Sequence, residues 1–248
     1  RLLSGGDITL FSPHDVPGLY EAYFGDSDEF QKMYEMYERK TSVKKKKLPA
    51  MELFSALIKE RAETGRIYIM NVDHANTHSS FKDTVYMSNL CQEITLPTKP
   101  LQHIDDPEGE IALCILSAIN VGTIKSLDDL EELCELAVRA LEEIIDYQRY
   151  PIKAAEISTK ARRSLGVGYI GLAHYLAKNK ANFADKKAWQ LVHDLTEAFQ
   201  YYLLQASNKL AQERGPCEYY NRTKYSDGIL PIDTYKKDVD NLVPPNLK

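Results

Sequence analysis

The sequence predicts an α/β fold, and three observations carry the prediction. Long stretches place apolar residues at three- and four-residue spacing, as helices packed on one face do. Short runs rich in β-branched and aromatic residues lie between them. One such run, residues 110–116, is apolar at almost every position, the pattern of a parallel strand covered by helices on both sides. Strands interleaved with long helices make the α/β class.

The elements follow in order. Residues 7–20 mix short apolar runs with Pro13, Pro17 and Gly18 and read as loop with room for a brief strand. Helices are expected over 29–38 and 51–63, with the lysine run 44–47 between them as a solvated surface. After Gly65, residues 66–72 have strand composition, and the polar stretch 71–80 reads as a loop leaving that strand. Further strands are expected over 90–96 and 110–116. Ser126 and Asp129 resemble a capping box, and the stripe Leu127, Leu130, Leu133, Ala137, Leu141, Ile144 predicts a helix of about five turns. A longer helix over 186–213 puts Trp189, Val192, Leu195, Phe199, Leu203, Ala206 and Leu210 on one face, until Gly215 and Pro216 stop it. With no repeat, low-complexity segment or evident linker, one structural unit is expected.

The 248 residues are about 1.7 times a usual domain length, enough for a sizeable core. At 44% hydrophobic and 27% charged, the composition excludes disordered, collagen-like and disulfide-scaffold classes. A net charge of −5 argues against a general binder of nucleic acid or anionic membrane, though it leaves room for a local phosphate site. No apolar run approaches the roughly 18 residues of a membrane helix. Arg1 is followed by no signal-peptide pattern, so an internal piece of a longer, cytoplasmic protein is expected. Cys91, Cys114, Cys134 and Cys217 form no C-x-x-C pair, which removes zinc-ribbon and thioredoxin-type motifs and favours reduced thiols.

Gly166-Val167-Gly168-Tyr169-Ile170-Gly171 spells G-x-G-x-x-G, but a dinucleotide site needs a buried strand immediately before it. The preceding residues 153–164 are polar and basic. Close packing of a helix through His174 and Tyr175 explains the glycines better. Asp73, His74 and His78 have a metal-like spacing but lack the Glu of H-E-x-x-H, so hydrogen-bonded loop histidines are expected. Cys134 falls beside an apolar stripe and reads as core, while Cys217 follows a helix stop without an evident partner.

Ser88-Asn89-Leu90-Cys91-Gln92-Glu93-Ile94 is different. If this segment is extended, Asn89, Cys91 and Glu93 project an amide, a thiol and a carboxylate from one edge. Core packing would place apolar groups there, and a free cysteine is rare on a merely exposed strand. The spacing leaves open whether the sulfur is nucleophile, metal ligand or radical. Cys114, inside Ile111-Ala112-Leu113-Cys114-Ile115-Leu116, reads from composition alone as a buried small hydrophobe.

Taken with Leu96-Pro97-Thr98-Lys99-Pro100, these residues resemble the large catalytic subunit of class I ribonucleoside-diphosphate reductases of bacterial and phage type. The resemblance extends through Gly109-Glu110-Ile111-Ala112-Leu113-Cys114, Asp146-Tyr147-Gln148 with Tyr150-Pro151, and the run from Gly228-Ile229-Leu230-Pro231 to Lys237. Gly65-Arg66-Ile67-Tyr68-Ile69 and Asn71-Val72-Asp73-His74 add to it. It implies a ten-stranded α/β barrel of two five-stranded halves, with a finger loop carrying the active cysteine, of which residues 1–248 supply an incomplete middle portion.

The resemblance also implies roles. Cys91 corresponds to the transient thiyl radical that takes the ribose 3′ hydrogen, Glu93 to the base for the 3′-hydroxyl, and Asn89 to a substrate-holding amide. Cys114 corresponds to one half of the redox pair, the other half lying outside this chain. The four should converge on one ribose, with Cys91 and Cys114 not bonded to each other. No metal or cofactor is expected in this chain. The radical is supplied by a metal-containing small subunit, ATP and deoxynucleotide effectors bind elsewhere, and thioredoxin or glutaredoxin is the reductant. Expected partners are the ribonucleoside diphosphate, the rest of the large subunit and a second large subunit as a homodimer; the chain alone is expected to be inactive. An NAD-dependent dehydrogenase and a non-catalytic packing segment are the rival readings.

Overall fold

The computed structural model describes residues 1–25 and 27–236. The chain forms two compact units where the sequence suggested one: Arg1–Pro97 with the described residues from Arg222 onward, and Thr98–Asn221. One crossing, between Pro97 and Thr98, falls in an irregular stretch and the other, between Asn221 and Arg222, in a single 3-10 turn, so composition gives no linker to notice.

In the first unit β1, Asp7–Phe11, pairs antiparallel with β2, Lys45–Pro49, in the register Asp7↔Pro49 to Phe11↔Lys45. The brief strand in the opening loop is therefore real, and most of the lysine run becomes its partner. The two strands flank α1, Leu19–Phe24, and α2, Ser27–Arg39. Lys45 Nζ donates to the carbonyls of Tyr37, Glu38 and Lys40 at 3.2, 2.6 and 2.9 Å, placing a cation on the negative end of α2. Arg1 grips Glu38 with both guanidinium nitrogens at 2.6 Å, which with the Thr9 hydroxyl holds that carboxyl down at about 2. Val16, Leu19, Tyr37 and Val43 form the small core, with Phe11, Phe30, Met33 and Tyr34 against it.

Helix α3, Ala50–Thr64, ends where Gly65 turns left-handed at φ 66°. Residues 66–71 then belong to no strand ladder, and α4 is Val72–Thr77. Both expectations for this stretch, a strand and then a loop, are corrected. Strand composition describes side chains that suit a pleated surface, and without a partner strand it builds no ladder. Asn76 instead ties α4 to Val85, accepting from its N–H at 2.8 Å and donating to its carbonyl at 3.1 Å.

The second unit is a βαβ arrangement. Strand β3 is Ile115–Asn120, so the strand expected over 110–116 is displaced toward the C-terminus. Glu110 makes only an isolated bridge to Lys99. Helices α5, Asp129–Tyr147, and α6, Lys153–Arg162, cross over to β4, Leu165–Ile170, which runs parallel to β3 from Ile115↔Leu165 to Asn120↔Ile170. The parallel pairing expected of the apolar run is thus present. Helices α7, Leu172–Lys178, and α8, Lys186–Arg214, complete the unit.

The capping box expected of Ser126 and Asp129 is half formed: the Asp129 carboxylate accepts from the Lys125 and Ser126 N–H groups, but Ser126 Oγ accepts from the Asp128 N–H rather than from that of Asp129. Leu130, Cys134, Val138, Leu141 and Ile145 are its buried line. This lies beside the expected stripe, and Ile144 faces out. On α8 the buried residues are Ala188, Leu195, Phe199, Ala206 and Leu210, while Trp189 is 51% exposed.

The glycine pattern occupies β4 itself: Gly166 and Gly168 are strand residues, and Gly171, at φ 81°, precedes α7. A Cβ at Gly171 would meet Asn120 Oδ1 at the end of β3. The close packing is therefore against β3 and the residues after it, not against the helix carrying His174 and Tyr175 as expected; it is Gly122 whose Cβ would meet His174. Among the described residues the ladders are two two-stranded pairs, and a closed ten-stranded barrel is not formed. No described helix is long and apolar enough to cross a membrane.

Candidate active site

Residues 89–94 form a closed turn, which corrects the expected extended edge. The Gln92 N–H donates to the Asn89 carbonyl at 3.2 Å, making Leu90 and Cys91 the turn's centre. Gln92 then adopts φ 66°, a left-handed conformation uncommon outside glycine, and reverses the chain. The Asn89 N–H donates to the Ile94 carbonyl at 3.3 Å, and the Ile94 N–H returns to Asn89 Oδ1 at 2.9 Å. An Asn side chain competing for a nearby backbone N–H is the force that replaces strand by turn here.

The turn puts its chemistry outward. Cys91 and Glu93 are exposed, Leu90 is 77% exposed, and Asn89 is half-buried. Asn89 spends its carbonyl oxygen on Ile94; among the described residues its amide nitrogen makes no hydrogen bond and remains available as a donor. With its amide oriented to suit its neighbours, Gln92 donates to the Ile69 carbonyl and accepts from the Met70 N–H, each at 3.2 Å. Gln92 therefore anchors the turn to the segment before α4. Sequence reading passed it over, because nothing in its type or spacing announces an anchor.

Cys114 lies immediately before β3 in the second unit and is a free thiol, as are Cys91, Cys134 and Cys217. It is partly rather than fully buried. A Cβ built at Gly166 would come within 2.9 Å of its sulfur, so the thiol fills the space where β4 has no side chain. Burial pushes its pKa up, which keeps it protonated and less nucleophilic at neutral pH. Cys134, fully buried in the main core, is pushed up to about 11. That is the core cysteine the sequence suggested.

No described group of His, Cys, Asp and Glu could hold a metal ion. His74 and His78 lie at one end of α4 with ring centroids 6.1 Å apart, and His78 Nδ1 is 3.2 Å from Thr234 Oγ1. His78 is thus hydrogen-bonded as expected, while among the described residues the His74 ring makes no hydrogen bond; His74 lies on α4 and His78 caps its end, where a loop was expected. Of the motif 228–237, Asp233 accepts from the Leu230 N–H at 2.9 Å, and Lys237 lies outside the described residues. Tyr150 donates to the Ile145 carbonyl at 2.7 Å and so closes the end of α5.

Sequence reasoning also passed over the pair Glu110 and Arg162, 2% and 7% exposed, joined through Arg162 Nε and Glu110 Oε2 at 2.9 Å. Their separation along the chain gives no pattern from which to foresee it.

Comparison with known proteins adds what geometry cannot. The family described as "Ribonucleotide reductase, barrel domain" matches residues 1–246. The chain is 60% identical over 245 residues to the ribonucleoside-diphosphate reductase subunit alpha of Haemophilus influenzae, covering 98% of this chain and 32% of that one. It is 58% identical over 245 residues to the ribonucleoside-diphosphate reductase 1 subunit alpha of Escherichia coli, with the same coverage. The corresponding subunit of Enterobacteria phage T4 is 45% identical over 244 residues, 96% of this chain and 32% of the relative. The chain thus spans about a third of the length of these relatives.

Proposed function

The chain belongs to the ribonucleotide reductase barrel-domain family, and on that footing we propose that it works as part of a ribonucleoside-diphosphate reductase α subunit. In this reading it helps convert ribonucleoside diphosphates to 2′-deoxyribonucleoside diphosphates for DNA precursor synthesis. The observation that carries the reading is the match over residues 1–246, which takes in the Cys91 turn and Cys114 together. Residues 1–248 are then a middle portion of the catalytic barrel. The parallel pair β3 and β4 contributes two of its ten strands, and the turn at Cys91 is the tip of its finger loop.

The chemistry follows from the groups. Cys91, as a thiyl radical, removes the hydrogen atom from C3′ of the ribose, and its exposure at a turn suits a sulfur that must meet a substrate. S–H and activated C–H bonds have comparable strength, so the hydrogen can be returned. Glu93 takes the 3′-hydroxyl proton, which eases departure of the 2′-hydroxyl as water. The Asn89 amide nitrogen donates to the substrate and holds it beside Cys91. Cys114 and a second cysteine outside this chain supply two electrons and become a disulfide, while Cys91 returns its hydrogen to C3′.

Thioredoxin or glutaredoxin then reduces the disulfide, a transient bond of the kind reducing compartments permit. The radical comes from a metal-containing small subunit; this chain itself binds no cofactor. ATP and deoxynucleotide effectors bind other parts of a large subunit that pairs as a homodimer in the cytoplasm.

The test is Cys91→Ser in the assembled enzyme. Deoxyribonucleotide formation is expected to be abolished with substrate binding kept, since oxygen is similar in size but a far poorer hydrogen-atom shuttle. Undiminished turnover would refute the assignment.

A further inference from the structure

We propose that the buried Glu110–Arg162 ion pair and Gly166 are positioning residues for the Cys114 thiol. A buried ion pair loses much of its attraction to desolvation, so it is a weak source of stability and a strong source of geometry. This one is well enclosed: Glu110 is 2% and Arg162 7% exposed, Lys99 Nζ is 3.8 Å from the other carboxylate oxygen, and the guanidinium lies 5.2 Å from the Tyr219 ring centre.

What the pair fixes is visible from its place in the chain. Glu110 lies four residues before Cys114, and Arg162 lies four residues before Gly166. The two strands begin their parallel ladder at Ile115↔Leu165, with Leu116 opposite Gly166. The ion pair therefore joins the two incoming segments just ahead of the ladder and holds its register. Residues 111–114 belong to no ladder. Glu110 exchanges backbone hydrogen bonds with Lys99 at 3.1 Å in both directions, and the Ile111 N–H donates to the Ala154 carbonyl at 3.3 Å. Cys114 is thus strung between a fixed point on one side and the β3–β4 ladder on the other.

Gly166 completes the device. A Cβ there would lie 2.9 Å from the Cys114 sulfur and closer still to the end of Leu116. Both neighbours can yield only by rotating, and for Cys114 that rotation is displacement of the thiol. A slip of the ladder by one residue would put Leu165 or Val167 where the sulfur needs empty space.

Electron exchange at Cys114 belongs to the function proposed above. The positioning rests on packing and is read from thiol chemistry, so either can fail without the other. The experiment follows alkylation of each cysteine in the 248-residue chain by mass spectrometry, from neutral to alkaline pH. Cys114 should react slowly in the unaltered chain, with a profile displaced to high pH by burial.

In Glu110→Gln, Arg162→Gln and Gly166→Ala, Cys114 should react about tenfold faster, with its profile moved down toward that of an ordinary thiol, because local opening becomes easier. Cys134 in the core should stay protected in the same samples. Should the ion-pair variants unfold, Gly166→Ala, which leaves the pair intact, decides the matter. An unchanged Cys114 rate and profile in Gly166→Ala overturns the proposal, as does a Cys114 gain that appears only in step with Cys134.

Discussion

Cys91 shows how a single residue's setting is decided by its neighbours' competing hydrogen bonds. The types and order of Asn89, Cys91 and Glu93 were legible in the sequence, as an amide, a thiol and a carboxylate in a row. Their orientation was not. Alternation assumes an extended backbone, and the Asn89 side chain instead bonds the Ile94 N–H at 2.9 Å while Gln92 turns at φ 66°. In the function proposed for it, Asn89 has two separable duties, its side-chain oxygen holding the turn and its nitrogen left for a substrate. Asn89→Ala should loosen the turn by the about 0.5–1.5 kcal/mol of one hydrogen bond and speed hydrogen exchange at the Ile94 amide. Asn89→Asp keeps the acceptor and should leave that exchange near its original rate. If both substitutions leave the amide unchanged, the side-chain bond does not hold the turn.

Among the elements, periodicity was legible where a helix packs on a core and misleading where a strand needs a partner. Helices α5 and α8 were readable because their apolar residues recur over many turns, although the buried line of α5 runs beside the expected one. The strand readings over 66–72 and 90–96 failed because composition does not say whether a partner strand exists. Across the α5–α8 contact, apolar burial outweighs the ion pairs. Arg139 binds Glu213 at 2.7 and 2.8 Å and Glu135 at 2.9 Å, but these groups sit near the surface, where screening leaves such pairs little net effect. Leu195 is fully buried. Leu195→Ala should destabilise the second unit by about 2–5 kcal/mol in denaturant titration. Arg139→Ala should cost clearly less, and the reverse order would mean that the ion-pair lattice rather than the core holds the helices together.

For the molecule as a whole, the α/β class and the family were legible, the family because several long ordered motifs recur through nearly the entire sequence. The division into two units was not, since no linker composition marks the crossings at Pro97 and Asn221. Nor could local pattern reveal long-range partners such as Glu110 and Arg162. The central claim is that this chain carries the reaction centre of a ribonucleoside-diphosphate reductase. The most direct measurement replaces the matched 245 residues of the Haemophilus influenzae α subunit, 60% identical, with this chain. The chimera is then assayed for ribonucleoside-diphosphate reduction with the radical-bearing small subunit that the proposed function calls for and a dithiol reductant. The account predicts deoxyribonucleotide formation that depends on Cys91. A folded chimera that binds nucleotide and small subunit yet forms no deoxyribonucleotide would contradict it.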